Sequence, residues 1–208
     1  MRVAIVTPWY EHEELYDDYF AAVGAELKPG DELLIVDDCS WPALDFARLR
    51  SRERLGFSGA CNLGLEFANT EIVVFLNNDI ALGRPGWLNQ MREAVEPGVL
   101  AGPLRKDRHA DVDGHAFPYI DGWCLGGTRE DLLNLGGMDT SLEEPAYFSD
   151  NLLCLEARAV GMTLREVRVT LKHKENKTNG SAMRPEVMAA TAANRARYVA
   201  RARELTRQ

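Results

Sequence analysis

The sequence predicts an α/β fold, a mixed but mainly parallel sheet with helices on both faces. Three observations point to it. The runs Val3–Thr7, Leu33–Val36 and Glu71–Asn77 are apolar almost throughout, as strands covered on both faces must be. Helix-sized stretches separate these runs, giving strand, helix, strand, helix, strand. Each run also ends in polar residues (Thr7, then Asp37-Asp38, then Asn78-Asp79), gathering chemistry beyond the carboxyl ends of the strands, where such sheets bind ligands.

Taken in order, Val3–Thr7 is a buried strand broken by Pro8-Trp9-Tyr10, and a helix over about Glu13–Leu27 stops at Pro29-Gly30. After the second strand, Trp41-Pro42 opens a short helix to about Arg50. A glycine-containing turn starts the helix of residues 56–69, which leads into the third strand. Arg84-Pro85-Gly86 precedes a helix over Trp87–Val95 and a strand over Val99–Ala101. Residues 104–120 are polar and weakly patterned, so a mobile loop or irregular hairpin is expected. A short helix near Arg129–Leu135, a helix after Ser149-Asp150, a strand over about Thr163–Val169 and a last helix from Pro185 complete the chain.

A chain of 208 residues with 46% hydrophobic and 27% charged residues can bury a core without disulfides or metal, which excludes disordered and fibrous classes. The longest apolar run, Ile72–Leu76, is far short of the roughly 18 residues a membrane span needs. Met1–Val6 reads as a strand and not as a signal peptide, so the expected location is cytoplasmic. Cys39, Cys61, Cys124 and Cys154 are scattered with no C-x-x-C pair, so free thiols are expected and a zinc site is not. The net charge of −8 divides into +7 from Gly161 onward and −15 before it. A basic end on an acidic body suits phosphates or anionic headgroups, or is simply a solvated helix face.

Seven segments carry a resemblance: residues 3–10, Val36-Asp37-Asp38-Cys39-Ser40, Gly59-Ala60-Cys61-Asn62-Leu63-Gly64, Phe75-Leu76-Asn77-Asn78-Asp79, Gly136-Gly137-Met138-Asp139, Tyr147-Phe148-Ser149-Asp150 and Lys172-His173-Lys174. In this order they resemble the inverting family 2 glycosyltransferases of the GT-A fold, over nearly all of residues 1–178. The resemblance implies a GT-A (Rossmann-like) domain over 1–180, with a nucleotide-binding half at 1–101 and an acceptor-binding half at 102–180. A basic C-terminal helix occupies 181–208, a candidate for docking or for a homodimer contact.

It also implies the chemistry. A nucleoside-diphosphate sugar leaves negative charge as its glycosidic bond breaks, and an acidic protein needs a divalent cation, Mn²⁺ or Mg²⁺, to stabilise it. Asp79 matches the family's Asp-x-Asp metal ligand, a hard oxygen donor at a strand end, although Asn77-Asn78 replaces the first acid. Its alternative is a turn or cap residue. His173 matches the late histidine near metal or diphosphate, with a surface or core role as the alternative. Lys174 and Lys177 would close a lid over the diphosphate.

On the nucleotide side the resemblance places Thr7, Pro8, Trp9, Asp37, Asp38, Asn62 and Asn78. Asp38 would accept from a nucleobase N–H, which favours the imide of UDP or dTDP without excluding GDP, and Trp9 would stack on the base or pack as a core tryptophan. Gly59, Asn62 and Gly64 bring the backbone near the nucleotide or serve helix-to-strand packing. Asp121, Gly122 and Trp123 would floor the sugar and acceptor pocket, with Trp123 as a core residue the alternative, and Ser149 stands beside them where the family usually has a glutamate. Asp150 is the general base for the acceptor hydroxyl, or caps the following helix. His109 and His115 line the acceptor opening or are loop residues.

The expected function is therefore inverting transfer of a sugar to a hydroxyl acceptor, which could be a glycan, lipid-linked sugar, protein, small molecule or modified nucleic acid. Ser149 and Asn77-Asn78 keep alive a non-catalytic carbohydrate- or partner-binding module. A nucleotidyltransferase would carry a glycine-rich basic loop after the first strand, which Thr7-Pro8-Trp9-Tyr10 lacks.

Overall fold

The computed structural model describes residues 1–174 and 184–207. Its strands are β1 (Val3–Trp9), β2 (Glu32–Asp37), β3 (Leu49–Arg50), β4 (Ile72–Leu76), β5 (Ile80–Ala81), β6 (Val99–Gly102), β7 (Leu104–Arg105), β8 (Tyr119–Ile120), β9 (Cys124–Thr128), β10 (Thr163–Glu166) and β11 (Lys172–His173). Its helices are α1 (Tyr16–Val23), α2 (Gly56–Phe67), α3 (Trp87–Ala94), α4 (Arg129–Asn134), α5 (Ser149–Ala159) and α6 (Pro185–Thr206).

Seven strands form one sheet in the order β10-β6-β9-β4-β1-β2-β3. Only β9 runs against its neighbours, pairing antiparallel with β4 and β6. Two small antiparallel pairs, β11-β5 and β7-β8, flank the sheet. Alternation along the central strands divides the core. Ala4, Val6, Val73 and Phe75 face the layer that includes Leu65 of α2, Leu132 of α4, Leu152 of α5 and Tyr198 of α6. Val3, Ile5, Ile72 and Val74 face the layer of Tyr19 from α1 and Trp87 and Met91 from α3. Fully burying each large apolar side chain contributes about 1.5–3 kcal/mol, so the sheet is fixed independently of the polar groups at its edge.

Close packing sets one register-defining approach. A Cβ on Gly64 would lie 2.3 Å from Val6 Cγ1, so α2 can lie on β1 only without a side chain there. Gly64 is thus a packing residue.

Several elements differ from the sequence expectation. No helix forms over residues 41–50. Asp37, fully buried, accepts from the N–H groups of Ser40 and Leu44 and from Arg50, which holds the segment in an irregular, turn-containing path until Leu49 and Arg50 form β3. Pro8 does not end β1, because it falls past the last pairing with β4 at Val6–Phe75, where a strand tolerates a residue with no N–H. The first helix is shorter, a 3₁₀ turn at Glu13–Leu15 followed by α1. Residues 104–120 form the irregular hairpin, with Leu104 opposite Ile120. β5, β9 and β11 were not foreseen, and β10 stops at Glu166.

The C-terminal helix α6 is docked on the domain. Asn194, Tyr198 and Ala202 are buried, and Arg201 makes two hydrogen bonds to Glu156 of α5, at 2.6 and 2.8 Å. Arg203 pairs with Asp113. Part of the basic character read from the sequence is therefore balanced within the chain. Among the described residues no helix is long and apolar enough to cross a membrane.

Candidate active site

A cavity of about 500 Å³ opens at the carboxyl ends of β1, β2 and β4. Of the sequence-predicted residues, Pro8, Trp9, Asp38, Asn78, Asp79, Asp121, Gly122, Trp123, Ser149, Asp150 and His173 line it. The topology explains this gathering, since Pro8 and Trp9 end β1, Asp38 follows β2, and Asn78 and Asp79 lie in the bend after β4.

The Asp79–His173 corner depends on the small β5-β11 pair. Ile80 lies opposite His173, and the N–H of Lys174 donates to Asp79 O at 2.8 Å, so the two side chains are brought together from distant parts of the chain. His173 Nε2 is 3.1 Å from Asp79 Oδ1. That oxygen is buried and receives no hydrogen bond of normal geometry. The His173 ring lies flat on Trp123, with centroids 5.1 Å apart and planes 12° apart, which fixes its orientation.

A hard oxygen beside an imidazole nitrogen is a donor set for Mn²⁺ or Mg²⁺. Their spacing matches the separation of about 3 Å between neighbouring donors on an octahedral cation with bonds of about 2.1 Å. These residues fit a divalent cation whose other ligands come from phosphate and water. Among the described residues no group of three or more His, Cys, Asp or Glu side chains is placed to hold a metal alone.

Asp150 stands in the first turn of α5. Its Oδ2 accepts from Gly122 N at 2.9 Å and its Oδ1 from Asn151 N at 2.8 Å. A Cβ on Gly122 would come within 3.2 Å of the Asp150 Cβ, so glycine lets the β8–β9 turn approach the carboxylate. Burial, and then the negative charge of Asp121, push the Asp150 carboxyl up to about 6 against the pull of these N–H groups. Asp121 in turn accepts from Arg105 Nε at 2.7 Å.

A third corner surrounds Asp38. Its carboxylate accepts from the N–H groups of Leu55 (2.7 Å) and Gly56 (3.0 Å) and from Ser51 Oγ (3.3 Å), and Arg54 Nε lies 3.1 Å away. Arg54 also covers the face of Tyr10, its Cζ 3.4 Å from the ring centroid. Glu144 closes this corner by accepting from Phe57 N at 3.1 Å, and burial raises its carboxyl.

The sequence model of Glycosyl transferase family 2 matches residues 4–115. The chain belongs to this family.

In fold, this family 2 glycosyltransferase is similar to the mannosyltransferase PcManGT from Pyrobaculum calidifontis in complex with GDP-Man and Mn²⁺, at 17% identity and a TM-score of 0.62, over 98% of this chain and 73% of that one. It is also similar to the catalytic domain of Drosophila β1,4-galactosyltransferase 7 in complex with xylobiose, at 14% identity and 0.60, over 91% and 79%. With TarS of S. aureus the values are 13% and 0.57, over 80% of this chain and 35% of that one. The likeness establishes the GT-A fold. No curated protein matches the chain in sequence.

The family match covers Asp38 and Asp79 but ends before Asp121 and Asp150. Four expected site residues of this glycosyltransferase do not line the cavity. Thr7 Oγ1 is fully buried against Tyr19 Oη, 2.5 Å away. Asp37 is spent on the 40–50 segment. Asn62 exchanges two 2.8 Å hydrogen bonds with the backbone of Met138, joining α2 to the Gly136-Gly137 turn. Lys174 turns to Asp18 of the segment around α1. Lys177 lies outside the described residues. Trp9 reaches the lining but is 1% exposed, with Tyr19 and Phe46 edge-on at 5.1 and 5.0 Å, so its faces are taken by the core.

Sequence reasoning missed Tyr10, Arg54, Glu144 and the first turn of α6, where Arg184 and Glu186 reach the cavity. Tyr10 carried a signal, as the next aromatic after Trp9. The other three enter through long-range packing that no local pattern records.

Proposed function

We propose that the chain transfers a sugar, with inversion, from a nucleoside-diphosphate donor to a hydroxyl acceptor, using Asp150 as general base and Mn²⁺ or Mg²⁺ held by Asp79 and His173. One observation carries the reading: the Asp150 carboxylate, held by the Gly122 N–H at 2.9 Å and raised to about 6 by burial, shares a cavity with the buried Asp79 and the half-buried His173. A base poised near neutrality is ionised at working pH yet still takes a proton effectively.

Asp150 accepts the proton of the acceptor hydroxyl as that oxygen attacks the anomeric carbon. The bond from that carbon to the diphosphate breaks, and the electron pair leaves with the nucleotide. The Gly122 N–H holds Asp150 Oδ2 in place during the transfer. The bound cation supplies charge stabilisation for the leaving diphosphate. Trp123 keeps the His173 ring in position from behind.

A UDP or dTDP donor presents an imide N–H to Asp38. Arg54, the exposed side-chain partner of Asp38, is the group such a base displaces, and the same movement uncovers Tyr10 for stacking. The four free cysteines fit a reducing compartment, and we place the protein in the cytoplasm.

The first test is thermal stabilisation by UDP, dTDP, GDP, CDP and ADP with Mn²⁺, Mg²⁺ or EDTA. A nucleotide at about 100 times its Kd should add about 2.7 kcal/mol, and only with the cation. Asp150→Asn should keep that stabilisation and lose turnover by about a thousandfold, and NMR of the product should show an inverted anomeric centre. Stabilisation by no nucleotide under any condition would remove the donor reading. Unchanged turnover in Asp150→Asn would remove the base.

A further inference from the structure

The segment that delivers Asp150 is two successive tight turns. Ala146 N donates to Glu143 O at 2.9 Å and Ser149 N to Ala146 O at 3.1 Å. Ala146 (φ 58°) and Phe148 (φ 75°) both take the left-handed conformation although neither is glycine. Such backbone persists only when its surroundings over-determine it, so something outside the segment must hold it.

Helix α6 does so at both ends. Asn194, 1% exposed, accepts from Glu143 N at 2.9 Å and donates to Glu143 O at 2.8 Å, engaging one residue's backbone as a neighbouring strand would. Tyr198, fully buried, stacks on Phe148 with centroids 5.4 Å apart and is anchored through its hydroxyl to Ala110 O at 2.6 Å. Residues four apart share one helix face, so a single face of α6 grips Glu143 at the start of the turns and Phe148 at their end, immediately before Ser149 and Asp150. A buried amide left unpaired is costly. Asn194 thus fits only while the segment keeps this path.

We propose that Asn194 and Tyr198 are positioning residues for the reaction, and that the C-terminal helix sets the placement of the base rather than only adding stability. The proposal rests on the reading of Asp150 as base. The titratable groups facing Asp150 are Asp121 with its partner Arg105, Tyr119 of β8 and Cys154 one turn along α5. Arg184 and Glu186 at the start of α6 line the same cavity, but neither Asn194 nor Tyr198 is among the described groups acting on the Asp150 charge, so this part of the helix acts through the backbone path and through burial of the carboxylate.

The experiment measures nucleoside-diphosphate release from UDP-glucose, UDP-galactose, UDP-N-acetylglucosamine, dTDP-glucose and GDP-mannose with Mn²⁺, as a function of pH. It compares Asn194→Ser and Tyr198→Leu with the parent chain, and Arg203→Ala serves as the α6 control outside the grip. Asn194→Ser and Tyr198→Leu should each lower kcat by about tenfold to a hundredfold and move the acid limb of the profile below about 6 as the carboxyl gains water. Nucleotide stabilisation should be retained, confirming a folded donor site. Arg203→Ala should match the parent in kcat and limb. Lowered melting temperatures with unchanged kcat and limb in both grip variants would overturn the proposal. Turnover retained in Asp150→Asn would overturn the base reading itself, whatever the grip variants do.

Discussion

On the side of the cavity proposed for the nucleotide, Pro8 ends β1 and Asp38 and Asn77–Asp79 follow β2 and β4, whereas on the side proposed for the base Tyr147, Ser149 and Asp150 lie in or just after two turns with left-handed residues. The first set is placed by the sheet, whose buried apolar strands would put any residue there. The second is placed by contacts with β8, β9 and α6, each made by a few named atoms. Groups fixed by topology are robust to change elsewhere, and groups fixed by individual hydrogen bonds are adjustable one contact at a time.

The strongest test of the comparison is Asp79→Asn. The strand end should keep the side chain in place while the amide loses its charge, so metal-dependent nucleotide stabilisation should vanish and turnover should fall by about a hundredfold or more. Full stabilisation by nucleotide and Mn²⁺ in this variant would show that the sheet places Asp79 without using it.

Next is Trp123→Leu, which removes the surface behind His173. Loss of an orienting neighbour should weaken Mn²⁺ activation by about tenfold, read as the cation concentration giving half-maximal turnover. An unchanged value would make Trp123 a packing residue alone.

Stability against pH isolates the base side. In the folded chain the Asp150 carboxyl is raised to about 6, against about 3.9 unfolded. Below about pH 4 both states are protonated and nothing is lost. As pH rises through about 6 the folded carboxylate ionises in an unfavourable place, and that stability disappears. Asp150→Asn should therefore stabilise the chain by about 1–2 kcal/mol at pH 7.5 and by nothing at pH 4, measured by urea unfolding. Equal gains at both pH values would point to packing rather than charge.

The smallest effect is expected at Arg54→Ala. Freeing Asp38 and Tyr10 in advance should tighten UDP binding by about two- to fivefold, the size of one exposed ion pair. Weaker binding would make Arg54 a ligand of the nucleotide.

The sequence made the parallel core legible because β1, β2 and β4 are continuously apolar, and its motifs singled out Asp38, Asp79 and Asp150, which the fold gathers at one cavity. It misplaced the 41–50 segment because Trp41-Pro42 reads as a helix start, while the fold ties that backbone to the buried Asp37 carboxylate. It left β5 and β11 unseen because strands of two residues have no periodicity to detect. Glu144, Asn194 and Tyr198 stayed hidden for a different reason. Their importance lies in partners far away in the chain, and nothing nearby in the sequence marks it.

The β5-β11 pair carries one more consequence, for the order in which the molecule is completed during synthesis. A chain made from its N-terminus has β1, β2 and β4 available early, and domains generally fold as units once their segments are present. Asp79 is then in place at the end of a finished strand, but His173 belongs to the last third of the chain and arrives only when β11 docks on β5. The Asp79–His173 pair is therefore assembled late, only after most of the chain has been made.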